Sequence, residues 1–123
     1  MKLEVLDHEF AVYKLSSLEG LELSRPFMFA SRTDKEFSLV CPCDMAIGNV
    51  IARDEGWRAF RISGLLDFSL IGILSKLSGL LAQARIGIFA ISTYDTDYVL
   101  VKSQSLERAL EVLAANGYEI SHD

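Results

Sequence analysis

Apolar residues recur every third or fourth position at Leu70, Leu74, Leu77, Leu81 and Ala84, while Lys76, Gln83 and Arg85 fall off that stripe. The spacing predicts an amphipathic helix, with Asp67 or Ser69 as its N-cap. On either side the pattern switches to a period of two. Residues 57–63 alternate, with Phe60 and Ile62 on one face and Arg61 on the other, until Gly64 ends the run. Arg58 and Arg61 read as solvated strand residues. Residues 86–93 and 97–102 predict two more strands joined as a hairpin by a polar tip. Ser105 then caps a second helix whose buried side is Leu106, Ala109, Leu110 and Leu113. Asn116-Gly117 supplies a left-handed stop, and residues 118–120 form a short last strand. The order β-α-β-β-α-β is the split βαβ, ferredoxin-like arrangement of the α+β class.

The first half gains meaning when laid on the second. Placing Phe27 on Ile88, an offset of 61, matches Ser31, Asp34, Leu39 and Val40 to Ser92, Asp95, Leu100 and Val101. The same offset sets Phe37 on Tyr98, Asp44 on Ser105 and Met45 on Leu106. Residues 10–15 match 57–62 at an offset of 47. The 14 residues separating the two offsets amount to about four helical turns. The expectation is an internal repeat whose first copy has its first helix cut to a stub around residues 16–20. Residues 2–7 are expected to add a strand that extends a shared sheet.

Composition narrows the class. A chain of 123 residues, half of them hydrophobic, suits one compact unit. A net charge of −5 without a Lys/Arg cluster argues against a nucleic-acid partner. The most apolar window, 65–82, is broken by Asp67, Lys76, three serines and two glycines, whereas a membrane span needs about 20 nearly uninterrupted apolar residues. The opening MKLEVLDHEF lacks the apolar core of an export signal, so the cytoplasm is the expected compartment. Cys41 and Cys43 flank Pro42, and His8 and His122 lie at opposite ends of the chain, an unpromising set for a four-ligand zinc site. The cysteines read as strand-end packing residues in a reducing compartment. No histidine neighbours either thiol in sequence and no carboxylate spacing singles out an acid/base pair, so neither catalysis nor a cofactor is expected.

Two segments carry a family resemblance: GLLDFSLIGIL at 64–74 and IFAISTYDTDYVLV at 88–101. They resemble the ACT-domain family, and within it the small tandem-ACT proteins similar to the amino-acid-binding part of animal cytosolic arginine sensors and to aspartate kinase regulatory domains. ACT domains commonly carry an Asp-x-Pro-Gly-x-Leu turn before the first helix. In that register Ser69-Leu70-Ile71-Gly72-Ile73-Leu74 keeps Gly72 and Leu74 and lacks the Asp and Pro. The resemblance implies a ferredoxin-like ACT fold in residues 57–123, packed beside an abbreviated ACT-like half at 1–56 in one compact body. It also implies ligand sensing or regulation without chemistry, with ligand contacts on the hairpin at Thr93, Tyr94, Thr96 and Asp97.

The same segments make a zwitterion site on physical grounds. A helix opening over 69–73 offers backbone N–H groups, from Ser69, Ile71, Gly72 and Ile73, that favour a carboxylate. Gly72 allows close approach. A right-handed crossover sets the helix start and the end of the second strand at one sheet edge, near Ser92, Thr93 and Tyr94. Asp97, read as an exposed turn carboxylate contributing little to folding, supplies charge for an ammonium or guanidinium. An amino acid or similar small zwitterion has both groups. Other readings stay open: Asp95 and Asp97 are ordinary hairpin-tip residues, Gly72 suits close helix–sheet packing, and an Asp-x-Asp pair without a third acid makes a poor hard-metal site. Two functions follow. One is an amino-acid sensor that passes occupancy to a regulated protein partner. The alternative is an oligomerising protein-interaction domain with a vestigial pocket. Open sheet edges suggest a homodimer in either case.

Overall fold

The computed structural model describes residues 1–63 and 72–122. Among these described residues seven strands and two α-helices follow one another as β1 (Lys2–Leu15), β2 (Phe29–Arg32), β3 (Phe37–Pro42), β4 (Val50–Ile62), α1 (Ile73–Gln83), β5 (Phe89–Ser92), β6 (Asp97–Lys102), α2 (Leu106–Ala115) and β7 (Glu119–His122). The chain divides into two compact units, Met1–Asp7 with Trp57–Asp123, and His8–Gly56. Both divisions fall inside strands, because β1 and β4 each give one half to either unit.

The first unit is the ferredoxin-like α+β element expected from the pattern. β6 pairs antiparallel with the second half of β4 and with β5, in the register Phe60↔Val99 and Phe89↔Leu100. Alternation then puts Phe60, Ile62, Val99 and Val101 on one face, where they pack with Leu77 and Leu81 of α1 and Ala109 and Leu113 of α2. The expected appended strand is instead inserted. Lys2–Asp7 lies beside β4, with Ser63 N–H donating to the Lys2 carbonyl at 2.9 Å, and its other edge pairs in parallel with β7 through Lys2↔Glu119 to Val5↔His122. Leu3 and Val5 are thereby driven into the core, a stronger reason for that position than extending a sheet edge. The opposite face carries Arg61, whose Nε and Nη2 both reach Glu4 Oε1 at 2.8 Å while Nη1 donates to the Tyr98 hydroxyl at 3.1 Å. Arg58 donates to the Leu6 carbonyl at 3.1 Å. Both arginines, expected to be solvated, are partly buried and bonded because the inserted strand supplies their acceptors.

Both helices end in Schellman motifs. Arg85 N–H donates to Ala82 O and Ile86 N–H to Leu81 O at α1; Gly117 N–H donates to Ala114 O and Tyr118 N–H to Leu113 O at α2. Gly117 takes the left-handed position as expected, with φ of 93°. At α1 the same place is held by Arg85 at φ 61°. α1 begins at Ile73, with Gly72 at the N-cap position; Asp67, Ser69 and Leu70 lie outside the described residues. Ser105 occupies the N-cap of α2, but its hydroxyl makes no capping bond because a 3₁₀ turn over Ser103–Ser105 leads into the helix. The first strand of the hairpin, β5, starts at Phe89 rather than residue 86, since Ile86 is held in the helix stop.

The second unit has strands without helices. β2 pairs with β3, β3 with the second half of β1, and the first half of β4 lies on the other side of β1, where Ser16 N–H donates to the Asn49 carbonyl at 2.8 Å. The stub expected at 16–20 is a turn, with Leu21 N–H on the Leu18 carbonyl. Residues 43–49 also form turns where α2 has its counterpart. Leu18, Leu21, Met28, Met45 and Ile47 from these segments pack on Ala11, Tyr13, Leu15, Leu39 and Cys41 in place of helices. The strand offset of 47 agrees with the pairings Phe10↔Pro42 and Trp57↔Lys102. The hairpin offset is 60, not 61: Thr33 N–H donates to Glu36 O as Thr93 N–H donates to Thr96 O, each at 2.9 Å. At that register Phe29, Ala30 and Thr33 meet Phe89, Ala90 and Thr93. A one-residue slip exchanges the two faces of a strand, so Ser31 and Ser92 point to opposite sides of their hairpins. Among the described residues no helix is long and apolar enough to cross a membrane.

Candidate ligand-binding site

The tip between β5 and β6 is closed by a threonine. Thr93 N–H and Thr93 Oγ1 both donate to the Thr96 carbonyl at 2.9 Å, and Thr96 N–H returns to Thr93 Oγ1 at 3.3 Å. This double use of one hydroxyl fixes the turn without a glycine. It leaves Asp95 exposed and throws the Tyr94 side chain outward, at 85% exposure.

The next two side chains turn inward. Thr96 is 7% exposed and Asp97 8%, and among the described residues these are the buried polar or charged ones. Thr96 Oγ1 donates to the Ile62 carbonyl at 3.0 Å, tying the hairpin to the last residue of β4. Asp97 Oδ1 accepts from Ser92 Oγ at 2.6 Å across the first pair of the β5–β6 ladder. The reading of Asp97 as an exposed turn residue is therefore corrected: register places it on the face that carries Val99 and Val101. A carboxylate has acceptor capacity well beyond one hydroxyl.

Gly72 stands at the start of α1 with φ 82° and ψ 8°, a left-handed conformation that side chains resist. Its carbonyl accepts from Lys76 N–H at 2.8 Å. The first turn of α1 has neither a capping side chain nor an acidic residue, so its N–H groups keep their affinity for an anion. A Cβ built on Gly72 would meet nothing within 4 Å.

The expected residues thus form two groups. Thr93, Tyr94, Thr96 and Asp97 share one turn, and Thr96 fastens that turn to the end of β4, from which the chain leads on to α1. Gly72 and Ile73 share the helix start; Ser69 and Ile71 lie outside the described residues. Ile73 also lines a cleft of about 240 Å³ with Met1, Lys76, Asn116, Gly117 and Tyr118. Sequence reasoning missed the inward turn of Thr96 and the Ser92–Asp97 bond, although the alternation Asp97, Val99, Val101 is the signal that places Asp97 on the core side.

Neither cysteine is activated as a nucleophile. Burial, with Asp44 and Cys43 nearby, pushes the Cys41 thiol up to about 11. Burial and a hydrogen bond to Glu9 raise that of Cys43. Both thiols stay protonated at neutral pH. Among the described residues no three His, Cys, Asp or Glu side chains gather as metal ligands.

Comparison with known proteins bears on the same segments. The ACT domain family matches residues 52–115. The cytosolic arginine sensor for mTORC1 subunit 1 of Bos taurus is 34% identical over 104 residues, covering 84% of this chain and 29% of that protein. The chain spans well under half the length of the curated relatives it matches. The crystal structure of protein Atu0741 from Agrobacterium tumefaciens superposes with a TM-score of 0.86 at 33% identity, over 99% of this chain and 92% of that one. The ligand-free regulatory subunit of aspartate kinase from Thermus thermophilus, 8% identical, shares the fold with a TM-score of 0.60 over 89% of this chain and 93% of its own.

Proposed function

The chain belongs to the ACT-domain family, and on that premise we propose that it is a regulatory module that binds an amino acid or similar small zwitterion and has no chemistry of its own. The ligand lies between the helix start at Ser69, Ile71, Gly72 and Ile73 and the hairpin residues Thr93, Tyr94, Thr96 and Asp97. Its carboxylate meets the open N–H groups of α1, and its ammonium or guanidinium meets Asp97. Occupancy passes to a regulated protein partner, in the cytoplasm, from a homodimer.

The observation that carries this reading is the pair Thr96 and Asp97, polar side chains turned inward at one hairpin tip beside an outward tyrosine. The kinship with a protein described as a cytosolic arginine sensor supports both ligand class and compartment. A screen of the twenty amino acids by thermal shift tests it, because a ligand at 100 times its Kd adds about 2.7 kcal/mol to native stability. At least one amino acid is expected to raise the midpoint in wild type and to lose most of that effect in Asp97→Asn. A flat response to all twenty overturns the sensor. The second reading, an oligomerising interaction domain with a vestigial pocket, would then lead; exposed apolar Val50 and Ile51, at 41% and 60%, favour it.

A further inference from the structure

The two long strands are not treated alike. β1 is paired along its outer edge in both halves, by β7 at Lys2–Val5 and by β3 from Phe10 to Leu15. β4 is paired on its outer edge by β6 only from Trp57 onward. The offset of 47 that relates the strands carries Lys2–Val5, the residues β7 covers, onto residues 49–52. Among the described residues no strand covers that position. No counterpart of β7 exists in the second unit, since the chain runs from the turns at 43–49 directly into β4. The consequence is visible in the side chains. Leu3 and Val5 are 0% and 1% exposed, whereas their counterparts Val50 and Ala52 are exposed, as is Ile51.

An uncovered strand edge with adjacent exposed aliphatic residues is a template for another strand. We propose that a second copy of this chain fills the vacancy, the two β4 edges pairing antiparallel about a two-fold axis at Ala52. This rests on the homodimer reading above and assigns its interface. Strand geometry limits the choice of axis. In a two-fold antiparallel pair one residue must face itself, because hydrogen-bonded and non-bonded pairs alternate along the ladder. The Asn49 carbonyl points to β1, where it accepts from Ser16 N–H. Alternation therefore turns the peptide groups of Val50 and Ala52 to the open edge.

Centring the axis on Ala52 puts the smallest side chain of the segment against itself. It sets Ile51 opposite the second copy's Arg53, where the aliphatic stem of the arginine covers the isoleucine, and Val50 opposite Asp54. No like charges face one another. An axis at Arg53 would oppose two guanidinium groups, which cross-strand pairing disfavours. The Arg53–Glu55 ion pair, at 2.6 Å within the strand, keeps the segment nearly neutral.

Sedimentation equilibrium and disulfide trapping on the full chain test the assignment. In an antiparallel hydrogen-bonded pair the facing Cα atoms stand about 5.5 Å apart, inside the disulfide range of about 4.4–6.8 Å. Ala52→Cys is expected to oxidise to a disulfide-linked dimer at low micromolar concentration. Ala90→Cys, on the edge strand β5, and wild type with its native Cys41 and Cys43 are expected to stay uncrosslinked. Ala52→Pro removes an outward N–H without touching the ladder to β1, and is expected to shift wild-type dimer to monomer with an unchanged circular dichroism spectrum. A wild-type monomer at high micromolar concentration overturns both the dimer and its interface. A dimer that survives Ala52→Pro, or crosslinks equally through Ala90→Cys, keeps the dimer and overturns this edge.

Discussion

Asp97 separates the ligand reading from a plain turn because it has a structural duty as well. Its carboxylate is enclosed and receives the Ser92 hydroxyl at 2.6 Å. Asp97→Ala should therefore cost about 1.5–3 kcal/mol of stability, the usual worth of a hydrogen bond to a charged group, read as a lower urea midpoint. Asp97→Asn retains an acceptor for Ser92 and should cost less. Cys41 offers a second test at this scale. Its thiol is held up to about 11 against an ordinary 9.0, with burial the main cause. A raised folded value stabilises the protein below the unfolded value and loses that stabilisation as pH rises through the folded one. Stability should thus decline between pH 9 and 11, and Cys41→Ala should flatten the early part of that decline in urea titrations. Buried Tyr13 and Tyr118, also raised, add loss only from about pH 10 upward.

At the scale of elements, the strong periodicities were legible and the weak ones were not. The stripe through Leu74, Leu77 and Leu81 and the alternation through Phe60 and Ile62 each report a face buried in one core, so period and structure agree. The segment VIARDEG has no such face; all of Val50 to Glu55 is exposed, and its strand character comes from pairing with β1 rather than from burial. Identities such as Ser31 with Ser92 favour an offset of 61 over the structural offset of 60, because the turn hydrogen bonds that equate Thr33 with Thr93 cannot be seen in sequence. Thr96 is the tie that sequence could not show. Thr96→Val should lower stability by about 1–3 kcal/mol by leaving the Ile62 carbonyl without that donor. Arg85 occupies the left-handed end of α1 at a cost of about 1–2 kcal/mol relative to a right-handed residue. Arg85→Gly should raise stability by up to about 1 kcal/mol once the glycine's added chain entropy is set against the relief, read as a higher urea midpoint.

At the scale of the molecule, the second half declared its fold through six elements in order, and family membership agrees with them. The first half concealed its organisation because its helices are replaced by turns whose apolar residues have no regular period. Sharing β1 and β4 between units was equally hidden, since nothing in either strand's sequence marks the point where it passes from one unit to the other. The proposed sensor role requires the hairpin and the helix start to act on one ligand, and isothermal calorimetry addresses that directly. Wild type titrated with the amino acid that most raises its melting point should show one saturable site per chain. Asp97→Asn should weaken that binding by about 1.5–3 kcal/mol, roughly ten- to 150-fold, and Gly72→Leu should abolish it. Unchanged affinity in both variants would contradict the account and leave residues 93–97 as a hairpin turn alone.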